Sequence, residues 1–310
     1  MAESAATTRT GDLLSPGFMR QLDKLDVMSR KILQGKLQGE RRSKKKGVSV
    51  EFADYRQYVV GDDLRFIDWN LYARLDKLFI RLFMEEEDLT VTIAVDGSRS
   101  MDYGDPNKLA YARRLAAALG YVSLVNYNRV SLFSFSADID DAVTDLRGRR
   151  PIPQMLEFLN GIQPSERPDP EAASNLSAVC KRLALLQRNP GIVVVLGDFF
   201  DKGDLAEALR YMMGPKRDVY AIQLLSPQEL DPAKGQVMGD LRLLDREDAD
   251  AADVSIGPAL IKRYKANLEA YCQHVRESCL KRGIAYLNTP TEIPVETATM
   301  RYLRQRGLLA

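Results

Sequence analysis

Apolar and polar positions follow two different periods along this chain. Phe18, Leu22, Leu25, Met28, Ile32 and Leu33 recur at helical spacing, which predicts one N-terminal amphipathic helix reaching toward Gly35, after a polar tail. Between 48 and 88 the period drops to two. Val48, Val50 and Phe52 alternate, a Gly61-Asp62-Asp63 turn follows, and Leu78, Ile80, Leu82 and Met84 alternate again, which predicts a small β-rich subdomain. Trp69, the only tryptophan, is expected to anchor its core. Beyond residue 88 strands and helices take turns. Strands are predicted at 89–95, 130–136, 142–146, 192–196, 219–225 and 284–287, and helices at 108–126, 153–159, 176–187, 205–213, 259–281 and 295–305. The unbroken apolar run at 192–196 suits a parallel strand buried on both faces. This alternation predicts an α/β fold with a doubly wound, mostly parallel sheet of Rossmann-type order 3-2-1-4-5-6. The stretch 226–257 reads as an insertion with short strands at 240–244 and 253–256. It is expected to pack with 48–88, since an isolated strand pair is marginal in water.

The expected organisation is therefore 1–46 as tail, helix and basic linker, 47–88 as the β subdomain with insertion 226–257, and 89–310 as the α/β domain. The 310 residues allow one domain of about 200 residues plus smaller pieces. Lys and Arg number 44 against 43 Asp and Glu, a net charge of +1, which argues against a chain whose main task is to neutralise phosphates. The cluster Arg41, Arg42, Lys44, Lys45, Lys46 carries no interleaved aromatics and reads as a solvated linker, with a nucleic-acid or anionic-lipid patch as the alternative. The acidic clusters at 85–88 and 245–253 do not fit a calcium loop with its central glycine. Cys180, Cys272 and Cys279 are odd in number and match no metal spacing, which suits a reducing compartment. The run at 192–196 is far short of the ~20 residues that span a bilayer. A cytoplasmic protein without membrane insertion is expected.

Candidate chemistry begins directly after the first buried strand, at Asp96-Gly97-Ser98-Arg99-Ser100. One carboxylate and two hydroxyls at alternate loop positions form a hard oxygen set suited to Mg²⁺, with Mn²⁺ or Ca²⁺ possible. On the pentapeptide alone a second reading stands equally open: Asp96 and Ser98 satisfy backbone amides where the chain turns toward a helix. Two further features favour the metal. The strand at 192–196 also ends in an acid, Gly197-Asp198, and Ser174-Asn175 precede the helix at 176. In a sheet ordered 3-2-1-4-5-6 the first and fourth strands are neighbours at the switch point, where ligands bind outside the carboxyl ends. Asp96 and Asp198 would then face each other.

The segment from Gly61-Asp62-Asp63-Leu64-Arg65-Phe66-Ile67-Asp68-Trp69-Asn70 through Arg74, with Leu78 to Phe83 and Glu85 to Leu89, resembles the hallmark of the bacterial family called domain of unknown function 58. The resemblance extends from about Gly47 to the carboxyl end, and the domain after residue 88 resembles a von Willebrand factor A-type domain with the metal-ion-dependent adhesion site pattern Asp-x-Ser-x-Ser, then Thr, then Asp. By position it implies Asp96, Ser98 and Ser100 as first-loop ligands, Ser174 in the threonine place and Asp198 as the second acid. Serine at 174 keeps the hydroxyl but loses the branch that stiffens χ1. The resemblance also implies a non-enzymatic interaction module that works with a MoxR-type AAA+ ATPase in assembly or maturation of other proteins, its partner presenting an Asp or Glu to the metal. The alternatives are a Mg²⁺-dependent phosphate-ester hydrolase and a nucleic-acid binder acting through 41–46. Little supports catalysis. His274 is the single histidine, and the second acid of an aspartate-based phosphatase is replaced by Ser98.

Overall fold

The computed structural model describes residues 13–27, 52–60, 62–83, 89–165, 176–187, 189–200, 203–214, 216–232, 239–244, 251–305 and 307–309. The chain divides into two compact units, 41–88 and the remainder. In the larger unit α1 (Pro16–Leu22) is capped by Ser15, whose hydroxyl accepts the Phe18 amide, and it buries Phe18 and Leu22. The helix stops there, short of the predicted end. Asn126 Nδ2 donates to the Leu25 carbonyl at 2.8 Å and Val27 bridges to Leu309, and Leu25 and Val27 are buried beyond the helix. Residues 28–50, including the cluster at 41–46, lie outside the described residues.

The smaller unit contains β1 (Phe52–Gln57), α2 (Trp69–Leu75) and β2 (Phe79–Phe83), with β1 and β2 antiparallel. The helix is an addition to the strand pattern, and Asp68 creates it: its carboxylate accepts the amides of Asn70 and Leu71 at 2.9 and 3.0 Å, and the Tyr55 hydroxyl at 3.1 Å. Trp69 does not anchor a core. As the first residue of that helix it is 61% exposed, while Ile67 and Ile80 are buried.

The main sheet comprises β3 (Thr90–Asp96), β4 (Arg129–Phe135), β5 (Ile139–Arg147), β6 (Gly191–Gly197), β7 (Arg217–Leu225) and, later in the chain, β10 (Ala285–Pro290). Its order is β10-β7-β6-β3-β4-β5, all parallel except β5, which runs antiparallel beside β4. Counting only these strands, this is the order 3-2-1-4-5-6. Alternate residues enter two cores. Val91, Ile93 and Val95 pack with α3 (Lys108–Val125) and α4 (Ile152–Gly161), whereas Ala94, Val193 and Val195 pack with α5 (Leu176–Leu186), α6 (Leu205–Arg210) and α8 (Pro258–Lys281). The short α7 (Pro227–Leu230) follows β7, and β8 (Gly239–Leu244) pairs with β9 (Ala251–Ile256) in a separate two-stranded sheet that belongs to the larger unit. A final helical segment runs through α9 (Val295–Thr297) into a π-helical stretch at Ala298–Leu303. Among the described residues no helix is long and apolar enough to cross a membrane.

Gly191 starts β6 opposite Thr90, at φ +154°, and a Cβ there would lie 1.9 Å from the Thr90 carbonyl oxygen. The central pair β3 and β6 can close only with glycine at this point. Gly191→Ala is expected to lower stability by about 2 kcal/mol or more in urea unfolding. Gly161→Ala, whose Cβ would meet nothing within 4 Å, should be neutral or up to about 1 kcal/mol more stable. Equal effects at both positions would contradict this packing.

Candidate functional site

Parallel pairing of Val95 with Leu196 brings the ends of β3 and β6 side by side. The Asp96 carboxylate lies against Gly197, where a Cβ would come within 2.8 Å of Asp96 Oδ2, so the small residue makes room for the acid. Asp96 Oδ1 accepts the Ser98 amide at 2.8 Å, Gly97 donates to the Phe135 carbonyl at 2.7 Å, and Ser165 donates to the Gly97 carbonyl at 2.8 Å. Asp96 thus does satisfy a backbone amide. Ser98 does not: it stands at the N-cap of a 3₁₀ turn, Arg99–Met101, yet its hydroxyl makes no cap bond and lies 3.0 Å from the Ser100 hydroxyl. The two hydroxyls share a hydrogen bond, and the same ~3.0 Å separates adjacent ligands of an octahedral ion held at ~2.1 Å, so the pair is also spaced for a hard cation. Asp96, Ser98 and Ser100 are the residues that would hold it. Ser174 lies outside the described residues. Among the described residues no group of three His, Cys, Asp or Glu gathers as a metal cluster.

Asp198 has a different neighbour, one the sequence reading missed. The Lys108 ammonium donates to Asp198 Oδ2 at 2.8 Å and to Glu229 Oε1 at 2.5 Å, with side-chain exposures of 1% for Lys108 and 4% for Asp198. The other Asp198 oxygen, Oδ1, accepts the Phe200 amide at 3.3 Å, and its backbone carbonyl accepts Gln223 Nε2 at 2.6 Å. The next residue, Phe199, is buried at φ +57° and its carbonyl accepts the Tyr271 hydroxyl. Glu229 closes a capping box with Ser226, its Oε2 accepting the Ser226 amide at 2.7 Å. Gln228 exchanges two hydrogen bonds with the Asp105 backbone, and Thr291 Oγ1 donates to the Pro106 carbonyl at 2.9 Å. Lys108 therefore ties together the loops after β3, β6 and β7.

Burial alone would lower the Lys108 pKa, but the fields and hydrogen bonds of Asp198 and Glu229 outweigh it, and the net shift is upward from 10.5. The pair's contribution to stability is fully present below the unfolded lysine value of ~10.4 and is lost as pH climbs through the higher folded value. One signal for Lys108 was available: it opens a helix otherwise rich in Ala and Leu, where the helix dipole disfavours a cation. His274 is exposed on α8.

Residues 54–273 match the model of a family described as "Protein of unknown function DUF58". The chain is 26% identical over 304 residues to uncharacterized proteins of Mycobacterium bovis and Mycobacterium tuberculosis, covering 97% of this chain and 94% of theirs. Similar solved structures include the conserved hypothetical protein BatB from Bacteroides thetaiotaomicron, with TM-score 0.44, 17% identity, and 70% of this chain and 98% of that chain covered. Another is the SpRpn10 VWA domain, with TM-score 0.38, 10% identity and coverage of 67% and 92%. Strand order and register, not these likenesses, define the fold.

Replacing Lys108 by Met leaves the buried Asp198 carboxylate and the partly buried Glu229 carboxylate without their counter-charge, so Lys108→Met should cost about 3–5 kcal/mol in urea unfolding at neutral pH. A loss below about 1 kcal/mol would mean that the ammonium is not between them.

Proposed function

Because this chain belongs to the DUF58 family, whose function its description leaves open, we propose its role from the geometry of the carboxyl edge: a protein-interaction module that docks an acidic group of its partner through a divalent cation. The observation that carries this reading is the pair of hydroxyls, Ser98 and Ser100, 3.0 Å apart beside the Asp96 carboxylate. In the proposed site Asp96, Ser98 and Ser100 hold the ion, Mg²⁺ or else Mn²⁺ or Ca²⁺, and the resemblance adds Ser174 in the threonine place. When bound, the ion supplies a Lewis-acidic point with exchangeable waters, one of which a partner Asp or Glu replaces. Arg99, exposed between the two serines, adds positive potential for the same acid. The partner that the resemblance implies is a MoxR-type AAA+ ATPase or its client, in the cytoplasm, with no turnover by this chain itself.

Mg²⁺ or Mn²⁺ should raise the melting temperature of the full chain, and Asp96→Ala should abolish the rise. The same substitution should weaken partner association by about 2 kcal/mol or more without unfolding the chain, and EDTA should reproduce the loss. The check is a pull-down from the native host with wild type, Asp96→Ala, and wild type plus EDTA. Identical partner lists in all three would sink the proposal, as would phosphate-ester turnover that Asp96→Ala removes.

A further inference from the structure

We infer that Lys108 is a built-in cation for Asp198, holding that carboxylate as a positioning group for the three loops and keeping it out of the shell of any divalent ion carried by Asp96, Ser98 and Ser100. The inference rests on the metal-dependent reading above and makes the site a one-carboxylate site. The pair is dry, and both Asp198 carboxylate oxygens are engaged, Oδ2 by the ammonium and Oδ1 by the Phe200 amide. Lys108 is held in turn by Glu229, which the Ser226 capping box fixes in place. A divalent ion recruiting Asp198 would have to strip it from a counter-ion that is already desolvated, and would leave that ammonium facing a single carboxylate. Held this way, Asp198 gives the edge its shape and gives the ion no charge. An ion balanced by one protein carboxylate keeps a net positive charge, and that makes an anionic carboxylate on the partner the preferred sixth ligand over a neutral oxygen.

The probe is Mn²⁺ titrated into the full chain and followed by the electron paramagnetic resonance of the free ion, with melting curves confirming that each variant is folded. Asp198→Asn should weaken Mn²⁺ binding far less than Asp96→Ala does. Because Lys108→Met alone strands two acids, the decisive variant is Lys108→Met with Glu229→Gln, which removes the ammonium and one of its carboxylates together. It should bind Mn²⁺ about tenfold tighter than wild type, as expected when ligand charge is added, and adding Asp198→Asn should erase that gain. A purely structural lysine would produce no such gain. The inference is overturned if Asp198→Asn is as damaging as Asp96→Ala, or if the double variant binds no tighter. Should the double variant not fold, the comparison of Asp198→Asn with Asp96→Ala decides alone. Should wild type bind no Mn²⁺, the metal-dependent reading falls by itself; an Asp198-dependent Mn²⁺ site appearing in the double variant would still support the role of Lys108, and its absence would overturn it.

Discussion

A single ammonium buried between two carboxylates organises the carboxyl edge of this protein. Lys108 comes from the start of a helix, Asp198 from the end of a central strand and Glu229 from the turn after the next strand, so their contacts cross 90 and 121 positions of sequence. The two carboxylates can lie this close at the buried edge only with the ammonium between them, because removing Lys108 leaves like charges without compensation. The loops that carry them must therefore keep their relative positions. The hydrogen bonds of Gln228 to the Asp105 backbone and of Thr291 to the Pro106 carbonyl extend the same constraint around the edge.

Fold topology puts these groups within reach. At the switch point the chain crosses from β3 to the neighbouring strand β4 on one side and later returns to β6 on the other, so the first and fourth strands of the main sheet end in adjacent loops. Two close approaches let the pair form: Gly191 at its lower end, where Thr90 leaves no space for a side chain, and Gly197 at its upper end, where Asp96 leaves none. With the strands in register, the Asp96 loop presents its two hydroxyls beside a carboxylate, and Asp198 is held a strand away by its own counter-ion.

Much of this was legible in the sequence. The unbroken apolar run at 192–196 marked a strand buried on both faces, and alternation with helices implied the strand order that is observed. The same order placed Asp96 and Asp198 at neighbouring strand ends. What escaped were pairings decided by distant partners. No local period connects Lys108 to Asp198 or Glu229, and Val27, in a stretch that reads as helix, instead bridges to Leu309 at the far end of the chain. Trp69 was misread because size and apolarity argued for burial, whereas the capping acid before it set a helix start on the surface. Ser174, singled out by its place before the helix at 176 and by the family pattern, lies outside the described residues.

The most direct measurement is a crystal structure of the full chain grown with Mn²⁺ and examined by anomalous scattering at the manganese edge. A manganese peak is expected at ~2.1–2.2 Å from oxygens of Asp96, Ser98 and Ser100, with Lys108 Nζ still bonded to Asp198 and Glu229. A peak bonded to Asp198 with Lys108 displaced, or no peak at the Asp96 loop under saturating Mn²⁺, would contradict it.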